Sequence, residues 1–208
     1  GVDAFRARVD EIHQRMGGEL HIAVFDKTAS NPDAHIGEAI RRFVYLAPDV
    51  RLHLHVAPLN AIERGVLDGQ FQVGIIPGHR SSAVLTYDEL FAETMYLYAS
   101  AGHAVLDPNA QRELHNWEAL RQHAFAGLGY HSPNMELSQQ VKLDRAATGY
   151  DQESIATLIL SGQFLGFLPD HYAEPFVRQG RMFAIQPQQF TYRCSFFSIV
   201  RTSPPPGV

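Results

Sequence analysis

Along this chain the spacing of hydrophobic positions switches repeatedly between two and three-to-four, and each switch marks an element. LHIAVFD, VRLHLHVAP and FQVGIIPG read as strands, separated by AHIGEAIRRFVYL and AIERGVLDG, which read as helices. Ile36, Ile40, Phe43 and Val44 make the apolar face of the first helix, and Ile62, Val66 and Leu67 that of the second, which Gly69 caps. Such alternation predicts a parallel sheet flanked by helices, an α/β fold. LTYDEL and TMYLYAS follow as two further strands, then a short helix at 117–123, a strand at 125–130 and a helix from Met135 to about Ala147. Between 151 and 182, Ile155, Leu158, Ile159 and Gly162 mark a helix and 164–168 a buried strand. Pro169 and Asp170 open another helix, which Gly180 ends. The run FTYRCSFFSIVR, 190–201, is expected to return to the first sheet, and RTSPPPGV to be a frayed tail. At the start, Val2, Phe5, Val9, Ile12 and Met16 repeat at a/d spacing before Gly17-Gly18. The stripe is either the end of a longer helix or a face packed on the domain.

Composition narrows the class. A chain of 208 residues that is 45% hydrophobic and 19% charged has core enough to fold without staples. Its formal charge of −5, with lysine only at 27 and 142, argues against this segment tracking a nucleic-acid backbone by itself. Cys194 is the sole cysteine, so no intrachain disulfide forms, and its strand-like context predicts a buried, inert thiol. No apolar run is long enough to span a membrane and no secretory signal is recognised, so a cytoplasmic location is expected.

Ligands of parallel sheets gather beyond the carboxyl ends of the strands, which brings 26–31, 58–61 and 77–80 around one crevice. The helix start at Gln152–Ser154 offers free N–H groups and a positive dipole end, suited to an anionic or polar small molecule. Lys27 and Arg80 are the nearest cations to that crevice, with His79, His103 and His131 on facing loops. Ser30 or Asn31 serves equally well as an N-cap of the first helix. His53 and His55 share one strand face, and His21 on a neighbouring strand would make a third metal ligand. Eleven histidines produce such pairs by chance, so we read a polar face there and assign no metal. No nucleophile elbow, zinc-protease helix, phosphate loop or dinucleotide fingerprint is present, and GLGYHS lacks the last glycine of the fingerprint. Asp26, Glu63 and Asp68 are read as caps or solvated carboxylates. Neither an enzyme nor a cofactor is expected.

The order of a terminal heptad helix, GELHIAVFD, RRFVYLAPDV, LHLHV, IERGVLDGQFQVGII, LFAETMYLYASAGHAV and SIATLILSGQFLGFLPDHYAEPFVRQGRM resembles the effector-binding domain of LysR-type transcriptional regulators over nearly the whole chain. It departs at Asp26-Lys27-Thr28-Ala29-Ser30, where many relatives have small residues, and at Gln72, where they often have aspartate. The resemblance implies two Rossmann-like subdomains of periplasmic-binding-protein type 2 architecture, connected by two crossing strands and preceded by the end of a linker helix. The expected division is linker 1–18, first subdomain 19–98 with 190–203, and second subdomain 99–189. It further implies an effector in the inter-lobe cleft. Mapped here, the contacts are Lys27, Thr28, Ser30, Leu59, Asn60, Pro77, Gly78, His79, Ser100, Tyr130, His131, Ser132, Gln152, Glu153 and Ser154. A homodimer or homotetramer is implied, with the first helix against a second-lobe helix of the partner, and DNA contact through an N-terminal winged helix-turn-helix that this segment does not contain. The rival reading is an extracytoplasmic solute-binding protein of a transport system.

Overall fold

The computed structural model describes residues 18–78 and 80–203, together with Asp3, Ala7 and Asp10, which are helical and exposed. The heptad stripe, His79 and the tail from 204 onward lie outside the described residues.

The first α/β unit forms as its periodicity predicts. Strands β1 (Glu19–Val24), β2 (Arg51–Val56) and β3 (Val73–Pro77) run parallel, with β1 in the middle. Helix α1 (Ile36–Leu46) connects β1 to β2, and α2 (Leu59–Leu67) connects β2 to β3. Leu59, Ile62 and Val66 of α2 are fully buried. A Cβ at Gly74 would lie 2.6 Å from Ile62 Cγ2, so a glycine in β3 is what lets the helix come so close. Helix α1 is much less covered. None of its residues is fully buried; Ile36 packs against the main cluster, and Phe43 against a small one of Leu20, Ala47 and Val50 with Leu52.

Helix α1 starts later than the capping residues suggested. His35, in the left-handed region at φ 55°, is its N-cap and gives no side-chain bond. The Ser30/Asn31 cap expectation is thereby corrected. Asn31 is spent in the preceding loop, where its side-chain oxygen accepts from Asp33 N–H and its amide donates to the Ala92 carbonyl.

LTYDEL and TMYLYAS are one strand, β4 (Leu85–Ser100), rather than two. A bulge between Glu89 and Phe91 resets the alternation, which is why the sequence reads as a break. β4 pairs antiparallel with β9 (Thr191–Arg201) from Leu85↔Arg201 to Tyr96↔Thr191, and β9 pairs antiparallel with β3.

The second unit repeats the first. Strands β5 (Ala124–Leu128), β6 (Asp144–Gly149) and β7 (Leu165–Pro169) are parallel with β5 in the middle, and β7 joins β4 antiparallel. Ahead of them lie α3 (Pro108–Glu113), capped by Asp107, and a 3-10 turn at Trp117–Gln122. Helices α4 (Pro133–Gln140), α5 (Gln152–Leu160) and α6 (Asp170–Arg178) complete the unit, with β8 (Met182–Ala184) lying along the end of β4. The helix expected to reach Ala147 stops at Gln140. Lys142 turns the chain at φ 55°, and DRAATG becomes the edge strand β6 with alternating exposure. Its alanines favour helix, but pairing with β5 overrides that preference.

The strand order β2-β1-β3-β9-β4-β7-β5-β6 places two parallel trios on either side of the β9–β4 ribbon. They share one unbroken hydrogen-bonded ladder because the ribbon belongs to both. One apolar cluster extends across it, with Phe91 stacked on Phe196 at 4.8 Å and Phe25 6.1 Å from Phe196. Cys194 is buried, and burial raises its thiol pKa. Phe196→Ala removes the ring at the centre of this junction, so unfolding in urea should show a loss of about 3–5 kcal/mol.

Candidate functional site

The carboxyl ends of the two trios face one another beside the ribbon. Asp26 stands two residues past β1 and Tyr130 two residues past β5, in equivalent places of the repeated unit. Asp26 Oδ2 accepts the N–H of Gln152, the first residue of α5, at 2.6 Å, which is a direct bond from one unit to the other. The neighbouring Asp151 accepts from Ser154 N–H, also at 2.6 Å. Two carboxylates therefore already occupy the positive end of α5, and an anion is not what this helix start lacks. Of the two readings of Asp26, cap or solvated group, the solvated one is corrected, since it is only 8% exposed and accepts the first N–H of α5. Burial pushes its pKa up to about 6. The Gln152 N–H pulls it back most, Asp151 and Glu93 push it further up and Lys27 lowers it.

Gln152 is itself buried, and its side-chain oxygen makes no hydrogen bond among the described residues. Beside it, Tyr130 packs edge-on to Phe25 at 6.2 Å. Burial, with Asp26 and Asp151 nearby, keeps its phenol protonated far above the ordinary range. Lys27, at φ 60°, holds its ammonium 5.1 Å above the Tyr172 ring of α6.

A second bridge lies next to this one. His171 Nε2 is 2.7 Å from Glu93 Oε1 on β4, and its Nδ1 is 2.7 Å from the Ser30 hydroxyl. Glu93 is 3% exposed, and burial raises its pKa against the opposing effect of His171. Alongside is a cavity of about 300 Å³ whose lining includes Asp33, Glu93, Asp170 and Glu174 against His171 and Arg193. Sequence reasoning missed Glu93, Asp170, His171 and Tyr172. The visible signal was Asp170-His171-Tyr172 directly after the buried strand, where the carboxyl-end rule places a site.

Of the expected contact residues, the structure gathers Lys27, Ser30, Tyr130 and Gln152 here, with Glu153 exposed on the α5 first turn. Thr28 is buried in the loop, its carbonyl accepting from Asn31 N–H. Ser132 and Ser154 are engaged at helix starts, Ser132 capping α4 through Met135 N–H and Ser154 donating to Asp151. Leu59 is wholly buried core, and Asn60 is exposed beside it. Pro77 is buried, and Gly78 N–H donates to the Ser195 carbonyl. His131 is exposed, 3.7 Å from Glu136. Ser100 is not brought to the site. β4 runs opposite to β7, with Met95 beside Pro169 and Tyr98 beside Gly166, so Ser100 ends at the amino end of β7. His103 lies at that far end too, accepting from Val105 N–H, with burial lowering its pKa. Arg80 is engaged by Glu63 at 3.2 Å, and Glu63 is buried, not solvated.

The family model described as the LysR substrate binding domain matches residues 13–206. The chain belongs to the LysR family. The transcriptional activator BauR of Pseudomonas aeruginosa is 32% identical over 207 residues, covering 100% of this chain and 67% of that protein. Among solved structures, the regulatory domain of Synechocystis CcmR, in complex with 2-PG, superposes with a TM-score of 0.70 at 16% identity over 92% of this chain and 91% of that one. The OxyR2 regulatory domain of Vibrio vulnificus gives 0.67 at 12% identity over 90% and 88%. These LysR regulatory domains share the type 2 periplasmic-binding-like fold, and this chain is the ligand-sensing domain of a transcriptional regulator of that family.

Asp26 gives this LysR domain a measurable signature. Its folded pKa lies above the unfolded value of 3.8, so the folded state holds the extra proton between about pH 4 and 6 and stability falls as pH rises through that window. Asp26→Asn removes the effect. By urea denaturation, the variant should exceed the parent by up to about 3 kcal/mol at pH 7, and the gap should close below about pH 4.

Proposed function

We propose that the effector binds between the two units, against Asp26, Lys27, Tyr130, Gln152 and Tyr172, and that it carries a cationic or hydrogen-bond-donating group. The Asp26–Gln152 bond carries this reading, because it spans the units where strand ends from both converge. The unbonded Gln152 oxygen and the Asp26 carboxyl are buried acceptors on residues joined by that bond. A donor such as a primary ammonium satisfies both, whereas a plain carboxylate would meet Asp26, Asp151 and Glu153. Binding better to one arrangement of the units than another shifts a pre-existing equilibrium. The units follow the division 19–98 with 190–203 and 99–189. The signal passes to DNA through an N-terminal domain outside this segment, in the cytoplasm. No helix among the described residues is long and apolar enough to cross a membrane.

A thermal-shift screen of amines, amino acids and amine-free carboxylates tests the site. Amine-bearing compounds should stabilise the chain, by about 2.7 kcal/mol at a hundredfold excess over Kd. Asp26→Ala and Gln152→Ala should abolish the gain. Stabilisation by amine-free acids alone, or gains untouched by both substitutions, would move the site or reverse its charge preference.

We further propose that α1 is the homodimer face, against a second-unit helix of the partner. Val44, Tyr45 and Leu46 are 45%, 85% and 52% exposed, and Leu54 and Val56 on edge strand β2 are 53% and 64% exposed. Such a patch wants an apolar cover. Tyr45→Asp with Val56→Asp should raise the dimer dissociation constant roughly tenfold or more, read by light scattering on a sizing column.

A further inference from the structure

The edge of the first sheet carries a polar cluster that takes no part in the cleft. In the parallel register of β1 and β2, His21 lies directly opposite His53, with Glu19 and His55 each one same-face position along. The His21 and His53 rings stack 4.2 Å apart and nearly parallel, at 6°. Glu19 approaches both, with Oε2 3.8 Å from His21 Nε2 and Oε1 3.7 Å from His53 Nε2. One ligand atom from each of Glu19, His21 and His53 lies within 4.8 Å of the others.

Two observations turn this cluster into a site. His53 Nε2 is buried yet makes no hydrogen bond among the described residues, so a ring nitrogen points into the group with nothing to bond. His21 Nδ1 is 2.9 Å from His55 Nε2. When His21 Nδ1–H is the donor in that bond, the lone pair of His21 is on Nε2, the atom facing Glu19. That is how a metal-bound imidazole is held by a partner behind it. Ligands about 2.1 Å from a tetrahedral ion lie roughly 3.4 Å apart, close to the 3.7 and 3.8 Å that separate Glu19 from the two histidines, and the stacked rings must turn out of parallel to bring both lone pairs onto one ion. Arg51, 76% exposed, reaches Glu19 only at 3.8 Å and is a weak competitor.

We propose that Glu19, His21 and His53 bind a divalent transition-metal ion of the zinc class, with His55 as the positioning residue behind His21 and an open fourth position for water. The ion ties edge strand β2 to β1 at the first residues of the domain. It is separate from the effector cleft and stands whether or not that reading holds.

Zn²⁺ titration of the untagged chain by calorimetry tests it, with Co²⁺ absorption reporting the ligand set and far-UV circular dichroism checking each variant. One equivalent should bind saturably and raise the melting temperature. His55→Ala should weaken binding roughly ten- to a hundredfold, and Glu19→Gln and His53→Ala by at least as much, while the exposed control His115→Ala changes nothing. Where His53→Ala fails to fold, His53→Gln and Glu19→Gln carry the test. The absence of saturable binding, or binding that survives Glu19→Gln and the His53 variant, or binding lost equally in His115→Ala, overturns the proposal.

Discussion

The β4–β9 ribbon is the constraint on which this molecule depends. The two trios run in opposite directions along the ribbon, β3 pairing with β9 from Gly74↔Ile199 to Pro77↔Phe196 and β7 pairing with β4 from Gly166↔Tyr98 to Pro169↔Met95. This sets the carboxyl ends of the two trios facing each other, where ligands of parallel sheets collect. The bulge between Glu89 and Phe91 lies within this ribbon, and Phe91 stacks on Phe196 just past it. Two residues further along, Glu93 meets His171 while itself buried. The strands that join the units therefore also furnish the floor of the site.

The electrostatics of that floor are lopsided. Asp26 and Glu93 are both nearly sealed from water, and burial raises the pKa of each despite a direct hydrogen bond. A buried carboxylate without a full counter-charge is costly. Lys27 offsets part of this but faces the Tyr172 ring, and Arg193 lines the neighbouring cavity. Both bridges, Asp26–Gln152 and Ser30–His171–Glu93, link residues far apart in sequence across the two units. The two bridges therefore leave buried carboxylates short of counter-charge where the units meet.

How far the sequence discloses this differs by element. The first trio and its helices were legible because their apolar positions keep strand and helix spacing, even where, as at Val44, Leu54 and Val56, the structure leaves those positions exposed. β6 was not, because DRAATG is polar and alanine-rich, and only pairing with β5 makes it a strand. The positions of Lys27 and Tyr130 at facing strand ends were legible because each follows a predicted strand, and that of Gln152 because it opens a predicted helix, whereas Glu93 arrives from mid-strand without such a signal. Ser100 was drawn in because the direction of β4 relative to β7 decides which of its ends meets the cleft, and a sequence carries no strand direction. Asp26 was undervalued since its partner, Gln152, is separated from it by 126 residues.

β1 connects the two polar features of the first unit. Glu19 and His21 lie at its beginning, whereas Asp26 lies just past its end, a separation of about 23 Å along an extended strand. An ion at the first end fastens β2 to β1 within a unit whose register already runs unbroken from Glu19↔Arg51 to Val24↔Val56. It stiffens that unit without favouring either arrangement of the two units, because Glu19, His21, His53 and His55 all belong to the same trio. Energetic coupling needs an element with two states that both sites bias. The β1–β2 pair has one, so metal and effector should stabilise the chain additively, and any cooperation between them would have to pass through the ribbon.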